Sequence, residues 1–132
     1  MKKKVPAIRE YMTPLPITIG SDQTIRFANI RMHEAGIRHL PVLDGGKLVG
    51  ILSERDIAMI EGLHIPDVEN LPVRDAMTEA PFECGADTPL DRVADEMASR
   101  KIGAAVIRDG EKVSGVFTTV DALRALKDAL QS

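Results

Sequence analysis

The chain has 132 residues, 44% of them hydrophobic and 28% charged, with a formal net charge of −3 at pH 7. That balance suits one soluble globular domain and argues against nucleic-acid binding, which usually shows as a clustered basic face. Lys2-Lys3-Lys4 is the only basic run and reads as a solubilising terminus, no run of about eighteen apolar residues offers a membrane span, and no export signal is expected.

The single cysteine, Cys84, has no internal disulfide partner, so a reducing, cytoplasmic setting is the expectation. With three Phe, one Tyr and no Trp, the chain also lacks the aromatic platforms on which single-stranded nucleic acid stacks.

In chain order, Arg9-Glu10-Tyr11-Met12-Thr13-Pro14 precedes Pro16-Ile17-Thr18-Ile19-Gly20, a short β-branched run between breakers that predicts a brief strand. Ile25, Ala28, Met32 and Ala35 then recur at the spacing of one buried helical face, closed by Gly36. His39 to Leu43 and Leu48 to Leu52 flank Asp44-Gly45-Gly46-Lys47, a hairpin signal because tight hairpin turns need positive φ. Ser53-Glu54-Arg55-Asp56 opens a second helix. Gly62 to Pro72, broken by Pro66 and Pro72, reads as a linker with no element of its own.

The pattern then repeats. Met12-Thr13 matches Met77-Thr78, and at the same offset Pro16 matches Pro81, Gly20 matches Gly85, Asp22 matches Asp87, Gly50 matches Gly115 and Asp56 matches Asp121. The second helix pair starts with Leu90, Val93, Ala94 and Met97, where Thr88 is the expected cap and Pro89 the expected first helical residue. Ala104 to Ile107 and Val113 to Phe117 form its hairpin about Asp109-Gly110, and Thr118-Thr119-Val120-Asp121 opens its last helix. A unit of some sixty residues buries only roughly 60% of its unfolded surface, so two copies are expected to complete one core. Ile57 to Ile60 and Leu123, Leu126 and Leu130 make the last helix of each copy apolar on more than one side, which predicts a second packing partner, most simply a two-fold homodimer.

Two segments, Gly50 to Asp56 and Gly115 to Asp121, each place a hydroxyl at a strand-to-helix junction with a carboxylate three residues on. Ser53 and Thr118 can be helix caps, with the acid completing a capping box. The same groups can instead form a ligand site, where free helix N–H groups and the hydroxyl hold phosphate and the carboxylate accepts both hydroxyls of a ribose. Duplication copies caps as faithfully as sites, so both readings stand on the residues alone.

His33 and His64 lack ligand partners at metal spacing, so no metal is expected. His39 adjoins a strand that could face a ligand or simply water. Cys84 lacks a paired His and reads as a small hydrophobe. No Walker loop, His-Glu-x-x-His or triad order is present, and no catalytic residue is assigned.

The duplicated Met-Thr starts, Arg38-His39-Leu40-Pro41-Val42, the Asp-Gly turns and the two Gly-x-x-hydroxyl-x-x-Asp segments together resemble a tandem pair of cystathionine β-synthase (CBS) domains, a Bateman module, from about Arg9 to Leu126. The resemblance implies an α+β sandwich of two β-α-β-β-α repeats related by pseudo-two-fold symmetry. The boundaries are residues 1–64 for the first repeat with its N-terminal segment, 65–72 for the linker and 73–132 for the second repeat. It further implies dimerisation through the helices and two clefts that often take adenosine-containing ligands.

Carried over by residue, one cleft would hold Thr118 and Thr119 toward phosphate and Asp121 on the ribose, with Ile17, Thr18, Ile19, His39, Leu40 and Pro41 around the base. The other would hold Ser53, Arg55 and Asp56 with Phe82, Glu83, Cys84, Ala104, Ala105 and Val106, and Arg38 is a further phosphate candidate. The expectation is a non-enzymatic, cofactor-free sensor whose regulatory ligand is AMP, ADP or ATP and which signals to an effector protein. The alternatives are a structural dimerisation module without ligand and a sensor of S-adenosylmethionine or NAD.

Overall fold

The computed structural model describes residues 4–14 and 17–131; Lys2 and Lys3 of the basic run and Pro16 of the first strand pattern lie outside them. The chain runs β1 (Thr13–Pro14), β2 (Ile19–Gly20), α1 (Ile25–Ala35), β3 (His39–Asp44), β4 (Lys47–Ser53) and α2 (Glu54–Glu61). It continues through β5 (Thr78–Glu79), β6 (Glu83–Gly85), α3 (Leu90–Arg100), β7 (Ala104–Asp109), β8 (Lys112–Thr118) and α4 (Thr119–Gln131). The strand-helix-strand-strand-helix order read from the repeat is present twice.

The compact units are offset from the sequence repeats. A contiguous unit comprises residues 17–81, and a split unit combines the described chain ends, 4–14 with 82–131. The contiguous unit has sheet order β2-β3-β4-β5, with β2 and β3 parallel and the other pairs antiparallel. The split unit has order β1-β8-β7-β6 with the same parallel and antiparallel pattern.

The offset arises because a single repeat leaves the outer edge of its hairpin unpaired, an edge that a further strand can cover. Met77-Thr78-Glu79 supplies that strand to β4, and Met12-Thr13-Pro14 supplies it to β8. The approach is close enough to demand glycine: a Cβ on Gly50 would lie 2.6 Å from Met77 Sδ and 2.8 Å from the Thr78 carbonyl oxygen. Gly115 stands in the same relation to Met12 and Thr13, at 2.6 and 2.8 Å.

Each covering segment is anchored by one fully buried residue, Val73 or Ile8. Val73 N–H donates to the Gln23 carbonyl at 2.7 Å and Ile8 N–H to that of Thr88 at 2.8 Å. The core of the contiguous unit gathers Ile19, Ile25, Met32, Leu40, Val42, Leu52, Ile57 and Val73. That of the split unit gathers Ile8, Val93, Met97, Ala105, Ile107 and Phe117.

Several expectations are corrected. Ala35 and Ala94 are exposed, because each sits about 60° round the helix from the centre of its buried stripe at 100° per residue. Thr88 does not cap α3; Pro89 occupies the cap position without a side-chain bond. The cap belongs to the first copy, where Thr24 Oγ1 accepts the Phe27 N–H at 3.1 Å. The segment read as a featureless linker contains a 3₁₀ turn, Val68–Asn70, held to α1 by an Arg26–Glu69 ion pair at 2.8 Å.

Candidate functional site

The two hydroxyl-x-x-Asp segments fold alike. β4 ends at Ser53 and β8 at Thr118, so each hydroxyl sits where extended backbone enters a helix, the geometry of an N-cap. Ser53 Oγ accepts the Asp56 N–H at 3.0 Å while Asp56 Oδ2 accepts the Ser53 N–H at 2.9 Å. In the split unit Asp121 Oδ2 accepts the Thr118 N–H at 2.9 Å and the Thr118 hydroxyl at 3.2 Å, and Asp121 N–H reaches Thr118 Oγ1 at 3.4 Å. Both segments are therefore capping boxes.

These boxes use most of the donors that a helix start could offer an anion. The Glu54 and Thr119 N–H groups donate to the Arg38 and Gly103 carbonyls at 2.9 and 3.1 Å. At the starts of α2 and α4, the N–H groups without a partner among the described residues are those of Arg55 and Val120. Each junction thus offers one free backbone donor, a hydroxyl and a buried or half-buried carboxylate. Any larger anion held there must be met by side chains as well.

The surroundings differ between the units. His39 pairs in register with Ser53, whereas Ala104 pairs with Thr118. Burial pushes the His39 imidazole below its usual pKa, Asp56 opposes that shift, and Arg38 adds to it. Arg38 is exposed, with Nε 3.8 Å from Glu54 Oε2, and Arg55 is exposed with no ion pair to any described residue. Asp56 Oδ1 accepts no hydrogen bond from a described residue and is not a buried orphan. Asp121 is only 3% exposed, and its Oδ1 is held by Arg124 Nη1 at 3.3 Å.

Arg124 was not legible as a site residue from the motif itself. Its signal is the three-residue helical spacing from Asp121, at a position that the first repeat fills with Met59.

The contiguous unit brings together Arg38, His39, Ser53, Arg55 and Asp56; Cys84, Ala104, Ala105, Thr118, Thr119 and Asp121 belong to the split unit. Leu40, Ala105 and Ile19 turn into their own cores, which leaves their backbones as the groups available to a ligand. His39 and Pro41 share the opposite strand face from Leu40, as Ala104 and Val106 do from Ala105. Thr18 and Ile19 line an open cavity of about 610 Å³ with Ser21, Asp22 and Arg74 beside the β3–β4 turn. Burial raises the Cys84 thiol pKa, with the Thr88 side chain opposing in part, and the net rise keeps the thiol protonated and poorly nucleophilic. Among the described residues no three His, Cys, Asp or Glu side chains converge as a metal site.

A family model for the CBS domain matches this chain twice, at residues 8–61 and 73–128. The chain belongs to the CBS-domain family. CBS pairs are regulatory ligand-binding modules rather than catalytic ones. This CBS pair superposes on the CBS domain pair of protein MJ0100, solved with 5′-methylthioadenosine and S-adenosyl-L-methionine, with a TM-score of 0.86 and 27% identity over 96% of this chain and 99% of that one. It also superposes on CBSX2 in complex with AMP, with a TM-score of 0.75 and 25% identity over 96% and 97% of the two chains. In sequence it is 32% identical to L-aspartate semialdehyde sulfurtransferase of Methanocaldococcus jannaschii over 94% of its own length, but it spans only 24% of that enzyme. No helix among the described residues is long and apolar enough to cross a membrane.

Proposed function

We propose that this CBS pair senses an adenine nucleotide, AMP, ADP or ATP, and passes occupancy to a partner protein by a change in conformation. The observation that carries the reading is the duplicated junction of a free N–H, a hydroxyl and a carboxylate, in a fold whose solved relatives include one with AMP and one with adenosyl ligands. A carboxylate oxygen can accept from a ribose hydroxyl while its partner oxygen stays in the cap. Asp56, whose Oδ1 accepts no hydrogen bond from a described residue, is the better placed of the two to do so.

Phosphate recognition would fall to Arg55 and Arg38, which flank the α2 start, with Ser53 and the Arg55 N–H beside them. That cationic pair favours a phosphate-bearing ligand over S-adenosylmethionine or 5′-methylthioadenosine. Transmission requires the ligand to bind one conformation better than another. The surface for the second copy would be α4, where Val120, Leu123, Leu126 and Leu130 are 54 to 77% exposed along one side, an apolar stripe that a homodimer would cover.

Titration calorimetry with ATP, AMP, S-adenosylmethionine and GTP tests the reading. Heat with an adenine nucleotide, weakened by Arg55→Ala, and none with GTP is the expected result. Binding of S-adenosylmethionine alone would transfer the site to a phosphate-free ligand, and no binding by any would leave the junctions as helix caps in a structural module.

A further inference from the structure

The two junctions come from one duplicated motif, yet their carboxylates are in different states. Asp56 keeps Oδ1 without a hydrogen-bond partner among the described residues, while Asp121 has Oδ2 in its capping box and Oδ1 on Arg124. The residue responsible sits at one helical position: Arg124 follows Asp121 by three residues, and Met59, 67% exposed and unable to donate, follows Asp56 by three. Two more differences point the same way. Arg55 and His39 stand beside Asp56, where the split unit has Val120 and Ala104.

From this we infer that Arg124 is a latch on Asp121 that makes the two nucleotide sites unequal, so that the Asp56 site fills first and the Asp121 site answers only at higher ligand concentration. The inference rests on the nucleotide reading above. Oδ2 already accepts twice, so both hydroxyls of a ribose can be taken only by the two lone pairs of Oδ1, and for that the guanidinium must let go. Arg124 is 59% exposed on its side chain and can be rehydrated on leaving, so the penalty is modest. Breaking an ion pair of that kind lowers affinity about two- to fivefold. A sensor built this way responds over a wider concentration range than one with two equal sites.

The experiment is calorimetric titration of the full chain with ATP and with AMP. Wild type is compared with Asp56→Asn, Asp121→Asn, Arg124→Met and Met59→Arg; asparagine keeps an oxygen for the cap, and the last two exchange the residues that the repeats already carry. Expected are two unequal sites, the tighter lost in Asp56→Asn and the weaker in Asp121→Asn. Arg124→Met should tighten only the weaker site, about two- to fivefold, and Met59→Arg should loosen only the tighter.

Equal sites, a tighter site that follows Asp121, or a weaker site that Arg124→Met loosens further would overturn the latch and leave nucleotide binding intact. Absence of heat with either nucleotide in wild type would overturn both. Thermal unfolding of each unliganded variant confirms that lost binding is not lost folding.

Discussion

Met77 lies against Gly50 so closely that a methyl group on the glycine would meet its sulfur at 2.6 Å. Met12 and Gly115 repeat the contact in the split unit. In each case the nearby Thr carbonyl, at 2.8 Å, is backbone of a paired strand and cannot swing aside as a flexible side chain can. Gly50→Ala and Gly115→Ala should each cost about 1–3 kcal/mol by overpacking. Urea unfolding checks this; a loss below about 0.5 kcal/mol in both would mean that the covering strands are not held where described.

Thr24 caps α1, whereas the residue at the same position before α3 is Pro89 and Thr88, one residue earlier, does not cap. Thr24→Ala should destabilise by about 1 kcal/mol, and Thr88→Ala, which removes no cap, by less than about 0.5 kcal/mol. Equal losses would contradict the difference between the two helix starts.

Lys101 ends α3 with φ of 56°, in the left-handed conformation that Gly36 adopts after α1 at 65°. An L side chain pays about 1–2 kcal/mol there. Lys101→Gly should therefore stabilise the chain by up to about 1 kcal/mol after glycine's larger loss of freedom on folding is deducted. A lower unfolding midpoint in that variant would contradict the assignment.

Burial holds the His39 imidazole below its ordinary pKa of about 6.5. Between that value and the lower folded one, the unfolded chain binds a proton that the native state does not. Stability contributed by the buried neutral ring is thus complete above about pH 6.5, falls as pH is lowered toward the folded pKa and levels off below it. His39→Gln should flatten this part of the stability profile. Parallel profiles for the two proteins, measured by denaturant titration from pH 7.5 downward, would show that His39 does not titrate as described.

The hairpins and helices were legible in the sequence because each carries local chemistry: Asp-Gly and Gly-Gly turns, apolar residues at helical spacing, a hydroxyl before each last helix. Gly45 and Gly46 do take positive φ, and Ser53 is the cap expected of it. The exchange of edge strands was not legible, since Met12-Thr13 and Met77-Thr78 mark repeat starts equally well whichever hairpin they cover.

Thr88 misled because a hydroxyl before a proline matches a cap signature, whereas the Leu90 N–H is met by the Pro6 carbonyl at 2.9 Å, far away in sequence. The two carboxylates stood out by their spacing after a hydroxyl, which fits a cap as well as a site. Their unequal states did not, because those depend on Arg124 in α4 and on the strand partner of each hydroxyl.

Nucleotide binding at the two carboxylates is read out by thermal unfolding with and without ATP. For wild type, ATP at a hundred times its dissociation constant should add about 2.7 kcal/mol to stability and raise the midpoint, while GTP leaves it unchanged. The Asp56→Asn/Asp121→Asn double variant, still folded, should show no rise. An equal rise in wild type and double variant, or none in wild type, would contradict the account.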